Sequence, residues 1–487
     1  VGEKPLVYAE RGGHLAFASE LKSLIDLPGI DRRIDLQAVD EYLCYQYVPH
    51  PHTIYRGIRK LPPGCRAIWE KGKLRVEPYW TVDWQGVREN ETLDSAVHQV
   101  RELLDDAVRL RMRSDVPLGA FLSGGIDSSI IVSIMARLSD RPVNTFSIAF
   151  PHPEFDESAH AREVANALGT EHHEFTVTPS ALEVLPQLVQ HYDEPFGDSS
   201  AIPTWYVSQL TRQVVTVALS GDGGDELFGG YERYRAVRWG ERLDRIGPLR
   251  HLAGARFWQR LPSGRGQRNP LRRLKRFAEA AGDDPIGRYL AWQSIFDERR
   301  RAELYRPEFI ERLGDDDPRA FLEAAWRRCG GRDAIACASL ADLQTYLPCD
   351  LMTKVDIASM AHGLECRQPF LDVRLVEFAI GLSTRFKVRG RLGKWLLRQA
   401  YGQDLPATVW RRPKMGFGVP LAPWFRGELK GLLESTIGSE EATIAEWFRP
   451  EVIRRLIDDH ATGRFDHSYR LWSLLFLELW RRHWNAG

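Results

Sequence analysis

Apolar positions along the chain follow three different rhythms. Over residues 1–80 they come in short runs, Leu6–Ala9, His14–Ala18, Arg66–Trp69 and Leu74–Val76, with Gly12-Gly13 and Lys71-Gly72 between neighbouring runs. Short runs bounded by glycine turns predict β-strands joined as hairpins. Between them Leu36, Val39, Tyr42 and Leu43 recur at helical spacing. So few strands cannot close a sandwich, so this region reads as a domain missing its beginning. Residues 81–92 are polar without a period and read as a linker.

From Leu93 the second rhythm begins. Ala96, Val97, Val100, Leu103, Leu104, Ala107 and Val108 mark one helix face. Near-continuous apolar runs follow at Gly119–Leu122, Val143–Phe150, His172–Val177 and Val214–Leu219, separated by helix-length segments. Strands that are apolar throughout and alternate with helices predict an α/β fold with a parallel sheet covered on both faces. Pro117 belongs just before its strand, because proline has no N–H to give a ladder. Such sheets bind ligands outside the carboxyl ends of their strands. Ser123–Ser129, Phe150–Glu157 and Ser220–Glu226 are therefore expected to face one site. Beyond residue 232 the rhythm is helical to the end, where Trp447, Trp472, Trp480 and Trp484 predict a packed helical close.

Composition narrows the function. Among 487 residues, 66 basic and 66 acidic side chains cancel, so no overall charge draws the chain to nucleic acid or membrane. The densest basic run, Arg272, Arg273, Lys275 and Arg276, has acids interspersed around it and reads as a solvated helix face. Gly264–Pro270 reads as an exposed loop. No apolar run approaches the roughly 20 residues that cross a bilayer. Six scattered cysteines lack metal-ligand spacing and read as reduced thiols of a cytoplasmic protein, with Cys44 and Cys65 structural.

The candidate chemistry sits in glycine-rich turns. Ser123-Gly124-Gly125-Ile126-Asp127-Ser128-Ser129 joins a strand to a helix. Its glycines permit a sharp turn and close backbone approach, and the helix start attracts an anion, so the ligand is read as a phosphate group. In Ser220-Gly221-Asp222-Gly223-Gly224-Asp225-Glu226 three carboxylates crowd after an apolar strand. Crowded like charges call for a cation, and Asp127 with Asp225 could hold Mg²⁺ against phosphate oxygens. Asp193–Pro203 reads as a stiff loop in which Asp198 or Ser199 caps a helix. Lys354, Asp356 and Glu365 interrupt an apolar pattern, which suggests that Lys354 reaches the phosphates and that Glu365 pairs with Arg367. His362 reads as a packed residue. Lys394 is alone among apolar neighbours, and Arg411–Pro420 is a glycine-broken basic loop suited to a lid.

The Ser123–Ser129 loop resembles the pyrophosphate loop of the PP-loop ATP pyrophosphatases. With Ser220–Tyr231, Lys354–Asp372, Lys394 and Arg412–Pro420 in this order, the chain resembles the glutamine-dependent asparagine synthetases. Residues 1–80 resemble the end of their glutaminase domain through Phe17–Lys22, Tyr47–Pro49 and Ile58–Gly64. The resemblance implies a truncated N-terminal-nucleophile glutaminase remnant over 1–80 and a PP-loop synthetase domain with a helical C-terminal half over 93–487. It further implies that aspartate is activated by MgATP as β-aspartyl-AMP and that ammonia, from glutamine in the full-length enzyme, displaces AMP. Ser123, Gly124, Gly125, Asp127, Ser128, Ser129, Ser220 and Lys354 would bind ATP and its pyrophosphate. Leu122, Ile148 and Gly221 would line the nucleotide, with Asp127 and Asp225 on Mg²⁺. Lys394, Asp222, Asp225 and Glu226 would be catalytic. The partners implied are small molecules, with no nucleic acid or membrane, and a homodimer is possible. Asp222 stands where many family members have Glu, and Ile357 replaces a common arginine, so a related amidotransferase or amide-forming cyclase acting on another carboxylate, in a sugar, lipid or peptide, is an alternative. A non-catalytic scaffold is a further alternative.

Overall fold

The computed structural model describes residues 1–177, 181–244, 277, 278, 280, 282–314, 316–412 and 415–484. Its centre is a five-stranded sheet. The strands are β6 (Leu118–Phe121), β7 (Asn144–Ala149), β8 (Glu171–Thr176), β9 (Val217–Leu219) and β10 (Glu365–Arg367), in the order β10-β9-β6-β7-β8. All four pairings are parallel. Every parallel step needs a crossover, and the helices Ile126–Leu138 and Ser158–Leu168 supply those from β6 to β7 and from β7 to β8. The chain then returns to the other side of β6 to add β9. The order thus reverses at β6, and a crevice opens between β6 and β9 at their carboxyl ends.

Pro117 precedes β6 as expected, and its carbonyl accepts the N–H groups of Thr216 and Val217. The run read as a strand from Val214 is shorter, because the N–H groups of Val214 and Val215 bond the carbonyl of Thr211 and still belong to the preceding helix end. β10 has no sequence signal. Three residues, one of them exposed, become a strand only because β9 offers an open edge.

The region 1–80 forms an antiparallel sheet in which β1 (Val7–Arg11) lies between β2 (His14–Ala18) and β3 (Arg59–Lys60), beside a hairpin of Cys65–Glu70 with Lys73–Pro78. The helix Leu36–Tyr45 buries nearly every side chain, starting at Asp35, whose carboxylate accepts the N–H of Gln37. It shares a core with the long helix Ser468–His483: Tyr42, Val48 and Tyr55 lie in one cluster with Trp472, Leu475 and Trp480. A second core fills the space between the sheet and the helices Leu93–Arg111 and Ile126–Leu138.

Cys329 and Cys337 are joined in a disulfide with Cα atoms 5.4 Å apart, which corrects the reading of all six cysteines as reduced. The pair faces across the turn between two helices, a juxtaposition that a spacing of eight residues does not announce. The other four are free. No described helix is long and apolar enough to cross a membrane. The loop read at 264–270 and the basic run 272–276 lie outside the described residues.

Candidate active site

The turns after β6 and β9 meet face to face at the crevice. Gly124 has φ +68°, and a Cβ there would stand 2.6 Å from the carbonyl carbon of His160, so only glycine allows the loop to turn against the helix Ser158–Leu168. The helix Ile126–Leu138 starts at Gly125, which has no side chain to cap it, so its N-terminal end is turned to the crevice without a capping residue. Ser123 and Ser128 join their hydroxyls at 3.1 Å across the loop. On the opposite turn, a Cβ at Gly221 would lie 2.7 Å from the backbone nitrogen of Ser128, and one at Gly224 would lie 2.5 Å from Oδ1 of Asp127. The two loops can touch only because these positions carry no side chain.

That contact brings Asp127 and Asp225 together around Lys394. The lysine ammonium bonds Asp127 Oδ2 and stands 2.6 Å from Asp225 Oδ1. All three side chains are nearly buried. Lys394 has φ +55°, a left-handed conformation that costs a non-glycine residue about 1–3 kcal/mol. The surroundings hold it there: its N–H donates to the carbonyl of Phe228 at 3.0 Å, and Gly393 packs so closely that a Cβ would lie 2.4 Å from the carbonyl oxygen of Gly229. The strained turn aims the side chain inward rather than along the surface.

A cavity of about 700 Å³ opens over this cluster. Leu122, Ser123, Gly125, Asp127, Ser128, Ile148, Ser220, Gly221, Asp222, Asp225, Glu226, Lys354 and Lys394 all line it. Gly124 and Ser129 do not: the first shapes the turn, and the second is buried in the helix beneath. Asp222 accepts the Ser220 hydroxyl at 2.7 Å. Glu226 accepts the Tyr231 hydroxyl at 2.5 Å, and burial, then the neighbouring Asp225 charge, pushes its carboxyl up to about 7. Lys354 sits at the far wall, where Nζ donates to Asp198 Oδ2 at 2.8 Å and to Ser200 Oγ at 2.7 Å. Asp198 also accepts the N–H of Ser200 at 2.9 Å, at the entry to the helix Ala201–Thr211. Glu365 and Arg367 pair at 2.7 Å, and His362 packs edge-on against Trp205.

Beyond residue 410, Arg411, Arg412 and Met415–Gly418 line the cavity. Arg412 donates to the carbonyl of Ser123 at 2.9 Å and pairs with Glu157, while Phe417 packs against a cluster that contains Ile148 and Phe150. Arg398 ties the base of the loop to the lysine turn, bonding the carbonyls of Trp410 and Gly393. Arg398, as a lone arginine on a helix, gave no sign of this role in the sequence.

No group of three or more metal-ligating side chains converges among the described residues. Two carboxylates do converge, and they already hold a cation between them. Oxygen donors of that number fit Mg²⁺, which takes one or two protein carboxylates and completes its shell with phosphate oxygens and water.

A glycine loop at the switch point of a parallel sheet, opposite a second acidic glycine turn, defines a nucleotide-binding α/β domain of the PP-loop type. Comparison with known proteins agrees in detail. The asparagine synthase family matches residues 99–482, and the glutamine amidotransferase domain matches residues 1–80. Asparagine synthetase [glutamine-hydrolyzing] 1 of Bacillus subtilis is 33% identical over 98% of this chain and 73% of its own length. A putative asparagine synthetase [glutamine-hydrolyzing] of Mycobacterium tuberculosis is 35% identical over 98% of this chain and 72% of its own. One of Methanocaldococcus jannaschii is 33% identical over 74% of this chain and 68% of its own. The chain belongs to the asparagine synthase family.

Proposed function

We propose that this chain is a ligase that forms asparagine from aspartate, ATP and ammonia, releasing AMP and pyrophosphate. The observation that carries the reading is Lys394, held in a strained turn between Asp127 and Asp225 beside an uncapped helix start. Its relatives' names supply the product, and residues 93–487 would be the synthetase domain, 81–92 the linker and 1–80 part of the glutaminase domain.

In this reading the turn Ser123–Ser129 receives the pyrophosphate, with the first-turn N–H groups and the Ser123 and Ser128 hydroxyls as donors. Leu122, Ile148 and Gly221 border the nucleotide. Asp127 and Asp225 would hold Mg²⁺, which supplies positive charge to the phosphate oxygens. Lys394 then moves its ammonium from these carboxylates towards the α-phosphate, where charge builds as the β-carboxylate of aspartate attacks and pyrophosphate leaves. The Arg412 loop keeps water from the resulting β-aspartyl-AMP, which ammonia converts to the amide. Glu226, whose carboxyl burial raises, lines the cavity and is placed to take a proton from the attacking amine.

The test is pyrophosphate release from MgATP and ammonium chloride with a panel of carboxylates. Aspartate should give the highest kcat/KM, and turnover with none of them would sink the reading. Asp222, one methylene shorter than the Glu common in the family, favours a second reading in which the acceptor is a different carboxylate. A larger acid outperforming aspartate in the same panel would establish that instead.

A further inference from the structure

The segment 193–200 is where residues 1–80 grip the synthetase cavity. Lys22 donates to Asp193 at 3.0 Å, Lys60 pairs with Glu194, and the carbonyl of Gln46 accepts the N–H of Gly197 at 2.6 Å. Gly197 has no room for a side chain, since a Cβ would lie 2.9 Å from Ser473 Oγ and 3.1 Å from Gln46 Cβ. Gln46 is itself left-handed, with φ +67°, at the end of the helix Leu36–Tyr45. From that turn its side-chain amide donates to Asp350 Oδ2 at 2.9 Å.

Asp350 is fully buried in a single π-helical turn, Leu347–Met352. Its carboxyl neighbours that of Asp198, and two buried carboxyl groups side by side repel unless one of them keeps its proton. The other groups that face this pair are Lys354, Tyr47, Tyr192, Tyr346 and Cys349, and burial holds the three phenols and the thiol neutral. Lys354 also feels the Asp222 carboxylate from the cavity side, so this one ammonium meets more acid than it can balance, and a proton kept on Asp350 relieves the excess. Burial, then the adjacent Asp198 charge, raises Asp350 well above the ordinary carboxylate range. For Asp198 burial opposes the charge, but Lys354 outweighs it and the carboxyl ends below its ordinary value. Asp198 and Lys354 line the substrate cavity, whereas Asp350 and Gln46 lie behind them.

Building on the ligase reading above, we propose that Asp350 acts as a neutral carboxylic acid which, clamped by Gln46, fixes Asp198 and through it sets Lys354 in the cavity wall. Gln46 and Asp350 are then positioning residues, and through them residues 1–80 shape the site that activates the carboxylate.

The test compares Asp350→Asn, Asp350→Ala and Gln46→Leu with wild type in the full chain, using MgATP, aspartate and ammonium chloride from about pH 6 to about pH 9. An amide reproduces the donor of a neutral acid, so Asp350→Asn should keep kcat/KM within about twofold and hold it to higher pH than wild type. Asp350→Ala should lose about tenfold or more, and Gln46→Leu should raise KM for aspartate more than it lowers kcat. Thermal unfolding reads the proton without any substrate. A raised carboxyl contributes stability below its ordinary value and loses it as pH rises through the folded value, so Asp350→Asn should gain on wild type with rising pH. Asp350→Asn as damaging as Asp350→Ala, or parallel unfolding curves across pH, would overturn the inference. Absence of turnover in wild type would overturn the proposed reaction instead, while the unfolding curves still decide the proton.

Discussion

The ammonium of Lys394 lies 2.6 Å from Oδ1 of Asp225, at a point where a Cβ on Gly230 would stand 2.3 Å from the lysine Cε. Nothing larger than glycine fits beside the pair at Gly230. This one ammonium lies between two nearly buried carboxylates, so the cluster keeps a net negative charge.

Lys394→Ala is expected to abolish pyrophosphate release while ATP still binds, because the loop and the cavity walls remain. The same change leaves Asp127 and Asp225 facing each other without their cation. Unfolding in EDTA should therefore shift to lower temperature and recover on adding Mg²⁺. Near-normal turnover would remove Lys394 from the chemistry.

Gly221→Ala pushes a methyl group to 2.7 Å from the backbone nitrogen of Ser128. The two loops must part, and the pyrophosphate cradle widens. The expected result is an ATP KM raised by about tenfold or more, with the fold intact by circular dichroism. An unchanged KM for ATP would mean that the cradle does not hold the nucleotide.

Arg412→Ala cuts the tie between the closing loop and the carbonyl of Ser123. Water should then reach the activated carboxylate. The ratio of AMP released to amide formed should rise above the wild-type ratio by several-fold, with a smaller change in ATP affinity. A ratio that stays fixed would assign the arginine a purely structural role.

Lys387 lies outside the cavity, 1% exposed, and its amine has no hydrogen-bond partner among the described residues. Burial, then the Arg332 charge, lowers the amine from 10.5 to about 7. A lowered folded value means that stability is fully present above 10.5 and is lost as pH falls towards about 7. Each unit is worth about 1.4 kcal/mol, so Lys387→Met should be the more stable protein at neutral pH by up to a few kcal/mol. Thermal unfolding should show that advantage shrinking as pH rises towards 10.5. A constant difference across that range would contradict a neutral lysine.

Much of the fold was legible because its signals are local. Three central strands announce themselves as apolar runs between helices, whereas β8, Glu171–Thr176, is mostly polar and half-buried at the sheet edge, and Gly124 and Gly221 mark the two turns where backbone must come close. Those runs also fix which loops share an end of the sheet, so it was legible that the turns after β6 and β9 border one cavity. β10 was not legible, because Glu365–Arg367 is a strand only by pairing with β9. The Cys329–Cys337 bridge was hidden for a similar reason, since two helices bring it together.

The sequence by itself determined the parallel sheet, the loop Ser123–Ser129 and the acidic turn Ser220–Glu226, since each rests on residues close in the chain, and the family through the order of such local motifs. Only the tertiary structure decided that Lys394 stands between Asp127 and Asp225, that Arg412 locks onto Ser123, and that Gln46 reaches Asp350. These contacts join residues separated by more than a hundred positions, and the charges are tolerable there only because packing excludes water and supplies each with a partner. Which buried charge meets which is a property of the packed core, and no local pattern encodes it.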